Sequence, residues 1–104
     1  RPDVDPNSHP MNQTLDLLGR RWVLRILWEL HRREELGAAA LRDRCEGIST
    51  SVLHSRLADL LAAGLVEQRA PRGNYRLTRS GQDLDTALDA IEFWTTRWSG
   101  TPGQ

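Results

Sequence analysis

Between residues 47 and 78 (GISTSVLHSRLADLLAAGLVEQRAPRGNYRLT) the hydrophobic pattern changes period. Leu53, Leu57, Leu60 and Leu61 recur at i, i+4, i+7 and i+8, which predicts an amphipathic helix facing a core. Ser49 precedes it as an N-cap, because a serine hydroxyl accepts a bond from a free N–H one turn in. Gly64 fits the left-handed position just past the helix end. The period then shortens to two. Leu65 to Arg69 and Asn74 to Leu77 alternate as strands, with Arg72-Gly73 as the turn after Pro71. A helix that runs through Ala-Gly-Leu-Val into a hairpin predicts a winged helix-turn-helix: mainly α, with a small β-hairpin wing.

The flanks read as support for that unit. Met11, Leu15 and Leu18 at i, i+4, i+7 predict a short helix over 11–18, ended by Gly19. Trp22, Val23, Ile26, Leu27 and Leu30 give the next helix, 21–32, an apolar face too broad for a lone surface helix. The charged run His31-Arg32-Arg33-Glu34-Glu35 closes it. A third helix is expected over 38–44, ended by the Glu46-Gly47 turn. Thr78 or Ser80 opens a last helix through about Trp98, with the stripe Leu84, Leu88, Ile91, Trp94, Trp98. Residues 1–10 hold three prolines and almost nothing apolar, so they are expected as a disordered tail, as are residues 99–104. Residues 11–98 then make one DNA-binding and dimerisation domain.

A chain of 104 residues, 38% apolar, allows one domain with a modest core, and sharing that core with a second copy would help it. No run is long enough to span a membrane, and no signal peptide is visible. The single Cys45 excludes an internal disulfide and fits a cytoplasmic location. The net charge of zero conceals a partition. Residues 20–79 carry 12 Arg against 7 Asp or Glu, a net +5, whereas residues 1–19 carry −2 and residues 80–104 carry −3. The basic part is the helix-turn-helix, which suits double-stranded DNA as partner.

On the helix opening at Ser49, the residues opposite the leucines are Thr50, Ser51, His54 and Ser55. The first turn and a half of a recognition helix reaches base edges, so Ser51, His54 and Ser55 are the candidate readers. The bland alternative is a solvated polar face. Arg72 at the hairpin tip, with Asn74 beside it and Arg69 and Arg76 nearby, is placed for a phosphate or the minor groove. Arg56, Arg42 and Arg44 could reach the backbone. Each Arg could equally be a surface cation paired with Asp43, Glu46, Asp59 or Glu67.

Four Trp accompany one Phe and one Tyr. Core and dimer packing is the plain reading of Trp22, Trp28, Trp94 and Trp98. The sharper one is an aromatic pocket for a small planar effector, with Arg25 or Arg21 available to an anionic group. The dimer contact is expected from Met11, Leu15, Leu18, Leu88, Ile91, Trp94 and Trp98. Cys45 reads as a half-buried structural thiol, though Arg42 and Arg44 could lower its pKa. His9, His31 and His54 lack metal-ligand spacing, and no cofactor motif, nucleophile elbow, phosphate loop or paired catalytic carboxylate appears, so neither a metal, a cofactor nor an enzyme is expected.

Leu15-Asp16-Leu17-Leu18-Gly19, Trp22 and Ile26-Leu27-Trp28 together resemble the HxlR-type bacterial transcriptional regulators. So do Gly47-Ile48-Ser49, Leu53, Leu57, Leu60, Gly64-Leu65-Val66 and Tyr75-Arg76-Leu77-Thr78 with Gly81. The resemblance covers residues 11–98. It implies a homodimeric DNA-binding regulator whose first and last helices make the dimer contact. The chain departs from the family at three places. His9-Pro10 stands where members often carry Cys-Pro, in some a redox or electrophile sensor. Gly37-Ala38 replaces an Arg-Phe pair, and Ser51 a frequent Lys. The last two changes, and a hairpin shorter than many, weaken the grip on phosphate. That keeps a rival reading open: a winged-helix module specialised for a protein partner or a small aromatic ligand.

Overall fold

The computed structural model describes residues 9–99, which form α1 (Pro10–Leu18), α2 (Val23–Arg33), β1 (Glu35–Leu36), α3 (Ala38–Arg44), α4 (Thr50–Ala62), β2 (Val66–Gln68), β3 (Tyr75–Leu77), α5 (Arg79–Gln82) and α6 (Asp85–Trp98). The strands make one antiparallel sheet in the order β1-β3-β2. Helices with a small antiparallel sheet beside the α3–α4 pair are a winged helix-turn-helix, as the hydrophobic periods predict.

The core lies where α2, α3, α4 and the sheet converge. Val23, Ile26, Leu27 and Leu30 of α2 meet Leu41, then Leu53, Leu57 and Leu60 of α4, with Val66, Tyr75, Leu77 and Leu88 closing the rim. Full burial of each such leucine contributes about 1.5–3 kcal/mol, so this one cluster fixes how α4 sits. Ser49 caps α4, its Oγ accepting from the Val52 N–H at 3.1 Å. Gly64 ends the helix at φ 76, the left-handed region. Leu61 corrects the expected core face: it is 39% exposed, because one residue past Leu60 turns it about 100° round the helix.

The flanks differ from the sequence pattern at four points. The expected tail ends earlier. His9 is the N-cap of α1, its Nδ1 accepting from the Met11 N–H at 3.0 Å, and Pro10 is the first helical residue, where proline costs nothing. The tails expected over residues 1–8 and 100–104 lie outside the described residues. Helix α2 starts at Val23, since Trp22 is left-handed at φ 79 and precedes the helix. The charged run after His31 does more than close α2. Glu34 turns the chain at φ 73, and Glu35 and Leu36 pair with Arg76 and Tyr75 as β1. The single last helix is two, α5 and α6, broken at Asp83-Leu84.

Candidate nucleic-acid interface

Helix α4 shows two chemistries. Its leucines are locked into the core, and Thr50, Ser51, His54 and Ser55 are all exposed along its first turn and a half. The three candidate readers Ser51, His54 and Ser55 therefore share one polar face with Thr50, next to the turn that joins α3 to α4. The hairpin stands beside it. Arg69 N–H donates to the Asn74 carbonyl at 3.0 Å, and Gly73 N–H to the Ala70 carbonyl at 2.7 Å, closing a tight loop with Arg72 at φ 64 on its tip. Asn74 is exposed, and its Oδ1 stands 3.0 Å from the position a Cβ would occupy at Gly37. Its amide thus lies near the N-cap of α3.

The arginines sort into paired and unpaired. Arg76 Nε lies 2.6 Å from Glu67 Oε2, and Arg69 Nη1 3.5 Å from Glu35 Oε1. Arg56 is half-buried, with Nη1 2.8 Å from Asp59 Oδ2. Asp59 also takes Arg20 at 3.0 Å, a residue that sequence reasoning did not single out because its partner is 39 positions away. Arg42 and Arg72 are exposed and make no ion pair among the described residues. The plain reading of paired surface cations thus holds for Arg56, Arg69 and Arg76. Arg42 and Arg72 keep a free charge.

The HxlR-like helix-turn-helix family matches residues 17–102. The chain belongs to the HxlR family. Among individual relatives, an uncharacterised HTH-type transcriptional regulator of Mycobacterium tuberculosis, Rv3095, is 34% identical over 99 residues. The alignment covers 88% of this chain and 60% of that protein. The structure of a possible HxlR family transcriptional factor from Thermoplasma volcanium superposes with a TM-score of 0.79 at 26% identity, covering 94% of this chain and 88% of that one. Quinone-bound YodB from Bacillus subtilis has the same fold, with a TM-score of 0.74 at 24% identity, covering 91% and 100%. The family and its named relatives are transcriptional regulators.

This HxlR-family chain scatters its tryptophans. Trp22 packs against the Gly47 turn, 4.0 Å from where a glycine Cβ would stand. Trp28 donates from Nε1 to Glu92 Oε1 at 3.1 Å and is flanked by the guanidinium groups of Arg25 and Arg32, 5.7 and 5.3 Å from its ring centre. Trp94 and Trp98 stack on each other, centroids 5.1 Å apart and planes 16° from parallel. A groove of about 360 Å³ runs between α2 and α6, lined by Leu24, Arg25, Trp28, Leu88, Ile91, Glu92 and Thr95. Of the five residues expected to build one aromatic pocket, it brings together only Arg25 and Trp28. Trp22, Trp94 and Trp98 lie outside it. Arg25 is already engaged, with Nε 2.9 Å from Glu29 Oε2 and Nη2 donating to the Arg44 carbonyl at 2.7 Å.

The residues expected at a dimer contact also divide. Met11, Leu15, Ile91, Trp94 and Trp98 are exposed, and Phe93, which the stripe had missed, joins them at 64% exposure. Leu88 is a core residue at 3% exposure, and Leu18 packs partly against that core. Cys45 is fully buried, where a half-buried thiol was expected. Burial pushes its pKa up, and the opposing effect comes from Arg25 rather than from Arg42 or Arg44. Among the described residues no helix is long and apolar enough to cross a membrane, and no three His, Cys, Asp or Glu side chains gather to hold a metal ion.

Proposed function

We propose that the protein is a homodimeric repressor or activator that reads a pseudo-palindromic duplex operator. The first turns of α4 enter a major groove and the hairpin grips the adjoining backbone. The observation that carries this is the division of α4. Its free face is polar over Thr50, Ser51, His54 and Ser55, beside a hairpin tip with an unpaired Arg72. A docking face for a protein partner calls for apolar anchors there, and α4 offers none in its first turn and a half. Arg42 adds a free charge from α3. The exposed apolar side chains of α1 and α6 bring two copies together, which sets their α4 helices one or more helical turns apart on the duplex.

The test separates positioning from reading. Arg72→Ala is expected to weaken binding to every duplex and to flatten the salt slope by about 0.9, the value for one phosphate contact. His54→Ala is expected to change sequence preference while leaving non-specific binding unchanged. Binding by fluorescence anisotropy at several salt concentrations checks both. If both variants match the parent throughout, α4 and the hairpin do not dock in this way.

A second reading concerns control. The groove between α2 and α6 has an apolar floor of Leu24, Leu88 and Ile91 with the Trp28 ring on one wall, dimensions and chemistry that suit a small flat apolar effector. The quinone-bound relative of the same fold favours that class of ligand. A ligand wedged between these helices shifts α6, and with it the partner's α4. Titration with planar aromatic compounds, following Trp emission and DNA affinity together, is expected to move both. Emission that moves without DNA affinity removes the regulatory role.

A further inference from the structure

The connection between α1 and α2 folds back onto the flank of α4. Arg20 Nη1 lies 3.0 Å from Asp59 Oδ2, and Arg56 Nη1 lies 2.8 Å from the same oxygen. Arg56 Nε also donates to the Arg21 carbonyl at 3.1 Å, so the recognition helix holds the connection by its backbone as well. The bonds from Arg20 and then Arg56 hold the Asp59 carboxyl below its usual range, so it stays a charged anchor at neutral pH. Arg21 is exposed, its guanidinium lying over the Trp22 ring at 5.4 Å. Trp22 is fixed in turn by its left-handed backbone and its contact with the Gly47 turn.

Arg20 and Arg56 share one carboxylate, and Arg21 adds an exposed guanidinium with no ion pair among the described residues, so these four side chains carry a net charge of +2. Arg20 stands beside Asp59 in the second half of α4, and the Arg21 backbone is tied to Arg56 on the same helix. A guanidinium has five N–H donors, and the Asp59 contact occupies Arg20 through Nη1, leaving its remaining donors free for an anion. A left-handed backbone at a tryptophan costs about 1 kcal/mol or more, so this corner persists because its contacts hold it. Held guanidinium forks suit bidentate contact with phosphate oxygens, at less entropic cost than free side chains.

We infer that Arg20 and Arg21, braced on Asp59 and Arg56, form a second phosphate-binding surface for duplex DNA, on the flank of α4 and separate from the hairpin. The surface rests on the DNA-binding reading. It supplies cations beside a helix whose first six residues, 50–55, hold no Arg or Lys.

Two probes test it: a mixed-sequence duplex of about 30 base pairs, and a duplex of similar length from upstream of the chain's own gene. The double substitution Arg20→Gln with Arg21→Gln is expected to flatten the salt slope by about 1.8, two phosphates' worth, on both probes equally. Affinity at low salt should fall roughly tenfold or more. Arg21→Gln alone, which removes no hydrogen bond to Asp59, should flatten it by about 0.9 without lowering the melting temperature. Arg21→Lys should restore the slope. If the parent and Arg72→Ala behave as proposed above while these variants bind like the parent, the surface is wrong and the DNA reading stands. A parent protein that binds neither duplex overturns the DNA reading, and this surface with it.

Discussion

His31 is gripped from both sides. Its Nδ1 lies 3.0 Å from Asp85 Oδ1 and its Nε2 2.8 Å from Asp89 Oδ1, both on the last long helix. A neutral imidazole has one N–H, so both carboxylates are satisfied only by the imidazolium. Asp89, foremost through its hydrogen bond, and Asp85 raise the His31 pKa against the opposing effect of burial. Glu34, Glu35, Arg69 and Arg76 line the same hollow across from them. A raised folded-state pKa means that this contribution is complete below the ordinary histidine value of about 6.5. It is lost as pH rises through the higher folded value. Melting temperature measured from mildly acidic to mildly alkaline pH should fall across that window, by the equivalent of roughly 0.5–1 kcal/mol for exposed carboxylate partners. His31→Gln should remove that slope. Nothing in the sequence announced this clamp, because the partners lie 54 and 58 positions away. Ser49 is the opposite case. A cap acts on its own next turn, so its role was legible from five consecutive residues. Trp22 lay between: its place against the core was readable, but its left-handed backbone was not, since its contact with the Gly47 turn is 25 positions away in sequence.

At the scale of elements, what could be read was what repeats. The leucines of α4 repeat often enough to specify a face, and both strands of the hairpin flank a recognisable turn. Strand β1 has two residues, too few to show any alternation, and it exists because Leu36 and Glu35 find Tyr75 and Arg76. The break between α5 and α6 was hidden for a related reason, as both halves carry helical periodicity. The short α5 is fastened to the end of α4. Thr78 Oγ1 donates to the Gly64 carbonyl at 2.6 Å and accepts from the Gly81 N–H at 3.1 Å. A Cβ on Gly81 would overlap the Leu65 carbonyl, a backbone atom that cannot step aside cheaply. Gly81→Ala is therefore expected to destabilise the protein by roughly 1–3 kcal/mol, the usual cost of overpacking. Chemical denaturation checks it, and an unchanged midpoint would show that the junction is looser than drawn.

For the whole molecule, the charge partition takes on a spatial meaning. Asp85, Asp89 and Glu92 of α6 are turned inward onto His31, Arg32 and Trp28 of α2. The acidic end of the chain is thus spent on holding α6 in place, which leaves Arg42 and Arg72 unopposed elsewhere. What α6 turns outward is Ile91, Phe93, Trp94 and Trp98, and α1 adds Met11 and Leu15. Trp94→Glu with Trp98→Glu should weaken self-association at least tenfold, seen as a shift from dimer to monomer mass in light scattering at micromolar concentration. An unchanged mass would place the contact elsewhere. Cys45 carries a different consequence. It is the one thiol in the sequence, and it sits at zero exposure among the core residues at the end of α3. A thiol-reactive dye can capture it only when the helices part. At saturating dye the labelling rate becomes the opening rate of the native fold, and at low dye it gives the population of open molecules. The chain therefore carries its own clock for how often its interior meets water.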